Sequence, residues 1–178
     1  MATTERAADG PLRERLLRQW DALSDEERGA WTGFLRAHSR IVKALDRELA
    51  AAHDLPLSEY DVLVQLGLTE EGRLRMSDLA EVTRSAPSRL THAVSQLESS
   101  GLVRRRQCAS DRRGCYAELT DAGAEALTAA GEAATRSLRA HFFGSLSAAE
   151  QARLRGLSET ILGHLGATCD QTAGRRAR

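Results

Sequence analysis

Apolar residues recur at helical spacing over most of the chain. Leucines and a tryptophan share one face of residues 12–23, a longer stripe covers residues 31–49, and a third covers 154–165. Repeats at i, i+3, i+4 and i+7 are typical of amphipathic helices with one buried face. Residues 120–143 are rich in alanine, which favours one more long helix. The pattern therefore predicts a mainly α-helical protein.

Short apolar stripes predict three helices in the middle of the chain. Pro56 ends the helix before them, because proline lacks the backbone N–H that a helix interior needs. The first of these predicted helices ends at Gly67, the second ends at Val82, and the third covers residues 85–100. A turn is expected at residues 69–73.

The apolar period changes after this third helix, from about 3.6 residues to about 2. Strands are predicted over residues 102–106 and 115–119, joined by a polar loop that contains glycine. Three helices followed by a hairpin are the order of elements in a winged helix-turn-helix.

Helix starts are marked by capping residues. Ser24 and Ser147 are each followed three residues later by glutamate, which is the pattern of a capping box. Thr120, Ser77 and Ser85 are predicted to cap the helices that follow them, because a side-chain oxygen can accept an orphan backbone N–H there.

Together these elements predict a winged helix-turn-helix with N- and C-terminal helices that form a dimerisation bundle. The flanking helices carry apolar stripes at opposite ends of the chain, and a joint bundle with a second copy would bury both. The predicted parts are a disordered N-terminus at 1–10, dimerisation helices at 11–55, a winged helix-turn-helix DNA-binding domain at 56–119, dimerisation helices at 120–166, and a disordered basic tail at 167–178.

The charge distribution points to a polyanionic partner. The 25 basic and 25 acidic residues balance over the whole chain. Between Arg84 and Arg113, however, the sequence contains seven arginines and only two acidic residues, so the local net charge is +5. Local charge steers a polyanion, and this stretch overlaps the predicted helix-turn-helix and hairpin.

Other function classes find no support in the sequence. No nucleophile elbow, phosphate loop or paired carboxylate motif is visible, so we expect no enzyme, no catalytic residue and no cofactor. No secretory signal or membrane-spanning run is visible, which predicts a cytoplasmic protein. The five histidines show no paired metal-ligand spacing, so no metal site is expected.

Residues 74–123 resemble the multiple-antibiotic-resistance regulator (MarR) family. The resemblance rests on Leu79-Ala80, on the run from Ser85 to Thr91, on the run from Leu97 to Val103, and on Asp111-Arg112-Arg113 followed by Leu119-Thr120-Asp121-Ala122-Gly123. It implies a dimeric transcriptional regulator, expected to be a repressor, on a pseudo-palindromic DNA operator. It also implies recognition helices in successive major grooves, wings in the flanking minor grooves, and control by a small, often phenolic, ligand.

The candidate DNA contacts lie on the recognition helix at 85–100 and on the wing at 104–116. Leu90, Val94 and Leu97 form the buried side of the helix, which leaves donors and acceptors for base edges and phosphates on the other faces. The helix candidates are Ser85, Pro87, Ser88, Arg89, Thr91, His92 and Gln96. The wing candidates are Arg104, Arg106, Asp111, Arg112 and Arg113. The three arginines at 104–106 alternate along a strand, so they cannot all face DNA. The resemblance implies that Arg113 enters the minor groove and that Asp111 orients it.

Effector sites are less sharply marked. Trp20, Trp31, Phe34 and His38 are candidates for an aromatic ligand pocket, although the same residues also fit a helical core. Cys108 lies in a basic loop that could favour a reactive thiolate, whereas Cys115 is expected to pack inward. A redox- or metal-responsive regulator of the same fold and a winged-helix module that binds protein remain the alternatives.

Overall fold

The computed structural model describes residues 12–107 and 115–176, with their side chains as far as Gly166. The helices in this part are α1 (Leu12–Trp20), α2 (Asp25–His53), α3 (Leu57–Gly67), α4 (Met76–Val82), α5 (Pro87–Ser99), α6 (Asp121–His141) and α7 (Ala148–Arg176), with a short 3-10 turn at Phe143–Ser145. The strands are β1 (Arg73–Arg75), β2 (Val103–Gln107) and β3 (Cys115–Leu119). The predicted mainly α fold with a winged helix-turn-helix is confirmed.

The chain divides into two compact units, with the boundary inside α2 between Lys43 and Ala44. The first unit holds α1 and the part of α2 that ends at Lys43. Here the predicted capping box is present: the Ser24 N–H donates to the Glu27 carboxylate at 2.7 Å, and the Glu27 N–H donates to the Ser24 hydroxyl at 3.2 Å. The long helix α2 therefore begins where the sequence indicates.

The core of the second unit lies between α3, α4, α5 and the sheet. Leu49 from the end of α2 joins it, and alanines of α6 close one side. The side chains that are fully buried and largest are Leu49, Leu63, Leu66, Leu79, Leu97, Val62, Val94 and Val103. Leu90, Val94 and Leu97 are buried as predicted, so the buried face of α5 sets which of its side chains reach solvent.

The sheet has three antiparallel strands in the order β1–β3–β2. Strand β1 was not predicted, because Arg73-Leu74-Arg75 is too short to show alternation. Gly72 has a positive φ of 63°, a conformation that glycine adopts without strain, and it leads the chain into this strand. The wing hairpin thus supplies two strands of a three-stranded sheet, with β3 in the centre.

The predicted helix caps at Ser77 and Ser85 are wrong. Helix α4 begins at Met76 with Arg75 as its N-cap, and α5 begins at Pro87 with Ala86 as its N-cap. The residue before a proline is held in an extended conformation, and Ala86 has ψ 139°. Ser85 therefore lies before the helix instead of capping it.

The predicted caps at Thr120 and Ser147 are present. The Thr120 hydroxyl accepts from the Gly123 N–H at 3.0 Å, and the Ser147 N–H donates to Glu150 at 2.8 Å.

The predicted disordered tail needs correction within its described part. Helix α7 continues to Arg176, about ten residues beyond the predicted end at Gly166. Apolar periodicity reports only a buried face, whereas the helix backbone can propagate one hydrogen bond per residue until a breaker such as proline appears. No proline follows Ala148. The predicted disordered N-terminus at residues 1–10 lies outside the described residues.

Candidate nucleic-acid interface

The face of α5 opposite the core is polar and exposed. Of the predicted contact residues, Pro87, Ser88, Arg89, Thr91, His92 and Gln96 are all exposed. The Thr91 hydroxyl donates to the Pro87 carbonyl at 2.8 Å, and its oxygen can still accept a hydrogen bond. A helix with such a face presents donors and acceptors that can meet base edges and phosphate oxygens.

The turn between α4 and α5 carries an arginine in an unusual conformation. Arg84 is exposed and has a positive φ of 50°, which is uncommon for a residue with a side chain. Next to it, the half-buried Ser85 donates to the Thr83 carbonyl at 3.4 Å. The conformation of Arg84 was not predicted, because no glycine or asparagine marks the turn.

Arg105 connects the wing to the recognition helix. Its guanidinium donates to Glu98 at 2.9 Å, to the Ser95 hydroxyl at 2.9 Å and to the Thr91 carbonyl at 3.1 Å. The Arg105 N–H also donates to Glu98 at 3.2 Å. One side chain of β2 thus reaches three residues of α5, and it pairs with Glu98, the one acid of that helix.

Arg104 and Arg106 lie on the opposite face of the same strand, as the alternation predicted. Both donate to Glu118 on β3, at 2.6 Å and 3.0 Å. Their side chains are 53% and 60% exposed, whereas that of Glu118 is 20% exposed. The hydrogen bond from Arg104 lowers the pKa of the Glu118 carboxyl, and the charge of Arg106 acts in the same direction.

Strand β1 adds two arginines to this face. In the register, Arg73 and Arg104 flank Glu118, while Arg75 and Arg106 flank Tyr116. Arg75 donates to the Tyr116 hydroxyl at 3.0 Å, and the guanidinium carbons of Arg73 and Arg75 lie 5.6 Å and 5.3 Å from the centre of its ring. These six residues, Arg73, Arg75, Arg104, Arg106, Tyr116 and Glu118, are called the outer wing face below.

The tip of the wing lies outside the described residues. This concerns the predicted contacts Asp111, Arg112 and Arg113, and also Cys108. The described strands β2 and β3 lead directly into this loop. Cys115 at the start of β3 is half-buried.

The candidate ligand residues form an exposed aromatic row on α2. The rings of Trp31 and Phe34 are 6.3 Å apart, and those of Phe34 and His38 are 6.2 Å apart and stacked. Trp20 belongs to α1, where it lines a shallow depression with Leu16 and Leu17. The described residues thus bring three of the four candidates into one row, and place Trp20 on another helix.

A polar contact joins the end of α2 to α6. The His141 Nε2 and Glu48 Oε1 atoms are 2.6 Å apart, and the almost fully buried Ser137 is hydrogen-bonded to the same glutamate. Within the described part of the chain, no three His, Cys, Asp or Glu side chains come together in a way that could hold a metal ion. Nor is any described helix long and apolar enough to cross a membrane.

The comparisons with known proteins agree with this architecture. A model described as the MarR family matches residues 55–115. AbsC, a MarR family transcriptional regulator from Streptomyces coelicolor, is 34% identical, with 82% of this chain and 97% of AbsC covered and a TM-score of 0.74. Sco3205, a MarR family transcriptional regulator from the same organism, was crystallised with DNA; it is 35% identical, with 80% and 93% covered and a TM-score of 0.75.

A curated relative is matched over a shorter stretch. The uncharacterized HTH-type transcriptional regulator YfiV of Bacillus subtilis (strain 168) is 30% identical over 99 residues. The match spans 56% of this chain and 60% of YfiV, which is less than two thirds of that protein.

Proposed function

This chain belongs to the MarR family of transcriptional regulators, and from this we propose that it binds a pseudo-palindromic DNA operator as a homodimer and represses transcription. The family consists of transcriptional regulators and not of enzymes, in agreement with the prediction from the sequence. The observation that carries the proposal is the exposed polar face of α5, a helix whose one acid, Glu98, is bound by Arg105.

In this proposal α5 enters the major groove. Arg89 and His92 contact base edges, because an arginine fork matches the two acceptors of guanine. Ser85, Ser88 and Thr91 contact phosphates or make mixed contacts, and Pro87 and Gln96 border the same surface. A buried apolar side at Leu90, Val94 and Leu97 keeps this orientation fixed.

The wing is proposed to enter the minor groove. Arg113 inserts, Asp111 orients it, and Arg112 lies beside it, as the family resemblance implies. A narrow minor groove has an enhanced negative potential that attracts an inserted guanidinium. Arg104 and Arg106, on the strand that leads into the wing, are proposed to meet phosphates.

A second copy of the chain is the proposed partner of the exposed apolar helix faces. Leu157, Ile161 and Leu165 on α7 are 64%, 60% and 56% exposed. Leu35 and Val42 on α2 are 43% and 37% exposed. Contiguous apolar stripes of this kind are rare on monomers, and a symmetric bundle buries them.

The aromatic row of α2 is the proposed contact for an effector. Trp31, Phe34 and His38, with Trp20 as a further candidate, offer flat apolar surfaces and one ring nitrogen, which suit a phenolic or aromatic molecule. Release of DNA on effector binding and a cytoplasmic location belong to the same proposal.

Selection from a randomised duplex library at physiological salt tests the function. The expected result is an inverted repeat whose half-sites lie about one helical turn apart. Arg89→Ala and Arg113→Ala should each weaken binding to that sequence by about tenfold or more, since a good base contact is worth about 1–3 kcal/mol. Arg136→Ala, an exposed arginine on α6, is the control. Absence of any enriched sequence would contradict the proposal.

A further inference from the structure

The outer wing face concentrates positive charge on a surface that the proposed major-groove contact does not use. Four arginines surround Tyr116 and Glu118, and Arg73 is also hydrogen-bonded to Glu71 at 2.7 Å, so four positive and two negative charges leave a net charge of +2. The side chains of Arg73, Arg104 and Arg106 are half-exposed or more. Like charges at this density repel one another, and a surface of this kind is stabilised by an anion.

Glu118 supplies that anion within the chain. Its two carboxylate oxygens each accept from a different arginine, at 2.6 Å from Arg104 and 3.0 Å from Arg106. A phosphate group presents the same acceptor geometry to arginine. The carboxylate therefore occupies the position that a backbone phosphate would take between these two side chains.

The position of the face in the sheet places it beside the proposed minor-groove contact. Arg75 and Arg106 form the row nearest to the wing loop, and Arg73 and Arg104 form the next row. Two residues along a strand span about 7 Å. The Debye length at physiological salt is about 8 Å, so both rows lie within electrostatic reach of phosphates that border the groove.

We propose that the outer wing face binds the sugar-phosphate backbone of DNA that flanks the operator, and that Glu118 restrains this contact by holding Arg104 and Arg106 in the free protein. This rests on the proposed function, in which Arg104 and Arg106 meet phosphates, and adds to it the two arginines of β1 and an internal competitor for the phosphate. Glu118 then limits the strength of non-specific binding.

Glu118→Gln tests the restraint, because it removes the competing charge and changes the side-chain shape little. Binding is measured on a duplex of arbitrary sequence, long enough to extend past the wings, over a range of salt concentrations. The variant should bind about three- to tenfold more tightly at low salt, and the slope of log K against log salt should become more negative by about 1–2. Glu132→Gln, an exposed glutamate on α6, gives the same charge change as a control.

Arg73→Ala with Arg75→Ala is the opposite test, because it removes positive charge from the outer wing face. This double variant should weaken binding to the same duplex and reduce the slope by about 1–2. Arg153→Ala with Arg155→Ala on α7 is the matched control. Thermal unfolding shows whether the loss of the Arg75 bond to Tyr116 has damaged the fold, and Glu118→Gln remains decisive if it has.

The outcomes separate this inference from the proposed function. If an operator is bound but Glu118→Gln behaves like Glu132→Gln on the arbitrary duplex, the outer wing face does not bind DNA, and an acidic protein surface becomes its better partner. If no duplex is bound by any variant, the inference and the proposed function both fail. Tighter, more salt-dependent binding by Glu118→Gln alone supports the inference.

Discussion

Gly123 marks the place where the first turn of α6 contacts the chain that leads into β2. A β-carbon there would lie 2.1 Å from the Leu102 carbonyl oxygen and 2.8 Å from a methyl group of Leu119. Gly123→Ala should therefore lower the free energy of unfolding by about 2–4 kcal/mol, because backbone cannot move aside as a flexible side chain can. Urea denaturation measures this.

Gly156→Ala in α7 is the matched control. No atom lies within 4 Å of a β-carbon at that position. Alanine in an open helix position should raise stability by up to about 1 kcal/mol, so the two substitutions should have opposite signs. Two changes of the same sign would contradict the contact at Gly123.

Arg84 has the backbone conformation of a glycine but carries a long side chain. A residue with a β-carbon at φ 50° bears a strain of about 1 kcal/mol. Arg84→Gly should thus be about 1 kcal/mol more stable than Arg84→Ala, although both remove the same charge. Equal midpoints in urea would show that the turn relaxes out of this conformation. Duplex binding by the two variants should be equal.

At the scale of elements, the wing and the recognition helix act as one body through Arg105. Arg105→Ala should cost about 1–2 kcal/mol of stability, in line with hydrogen bonds to a charged group. Arg105→Lys should recover part of this, because lysine keeps the charge and loses the fork. In Arg105→Ala the free energy of operator binding should fall by more than the free energy of unfolding, since the wing is then free to move. A loss confined to stability would contradict this coupling.

The contact between α2 and α6 should make stability depend on pH. The hydrogen bond with Ser137 and then the one with His141 lower the pKa of Glu48 from its ordinary value of 4.5. A depressed pKa in the folded state gives stability that is present above pH 4.5 and lost as the pH falls through the folded value. As the pH falls from about 6 through the folded pKa of Glu48, the difference in Tm between the protein and Glu48→Gln should therefore shrink towards zero. A constant difference would contradict the ionic role.

At the scale of the whole molecule, the apolar stripe of α7 should determine the oligomeric state. Leu157→Glu with Ile161→Glu places two charges on the stripe and should convert a dimer to monomers, as light scattering after gel filtration would show. Ala152→Glu with Thr160→Glu adds the same charges off the stripe and should leave the dimer intact. Operator affinity should fall only for the first pair, because one half-site contact is lost. A wild-type monomer would contradict the proposed assembly.

Much of the fold could be predicted from residues that lie close together in the sequence. The capping box at Ser24, the caps at Thr120 and Ser147, and the buried side of α5 were all predicted, because each depends on residues a few positions apart. The change of apolar period after Gly101 predicted the hairpin for the same reason. The candidate contact face of α5 follows directly, since burying one side of a helix exposes the other.

Tertiary structure decided what depends on contacts between distant segments. Strand β1 exists because it pairs with β3 more than forty residues later, and three residues carry too little pattern to predict it. That pairing brings Arg73 and Arg75 to the outer wing face, where Glu118 binds Arg104 and Arg106. Arg105 turned out to support α5. In the sequence, Arg104, Arg105 and Arg106 are three consecutive positive charges. Their different partners are determined only when β2 pairs with β3 and one face of β2 packs against α5.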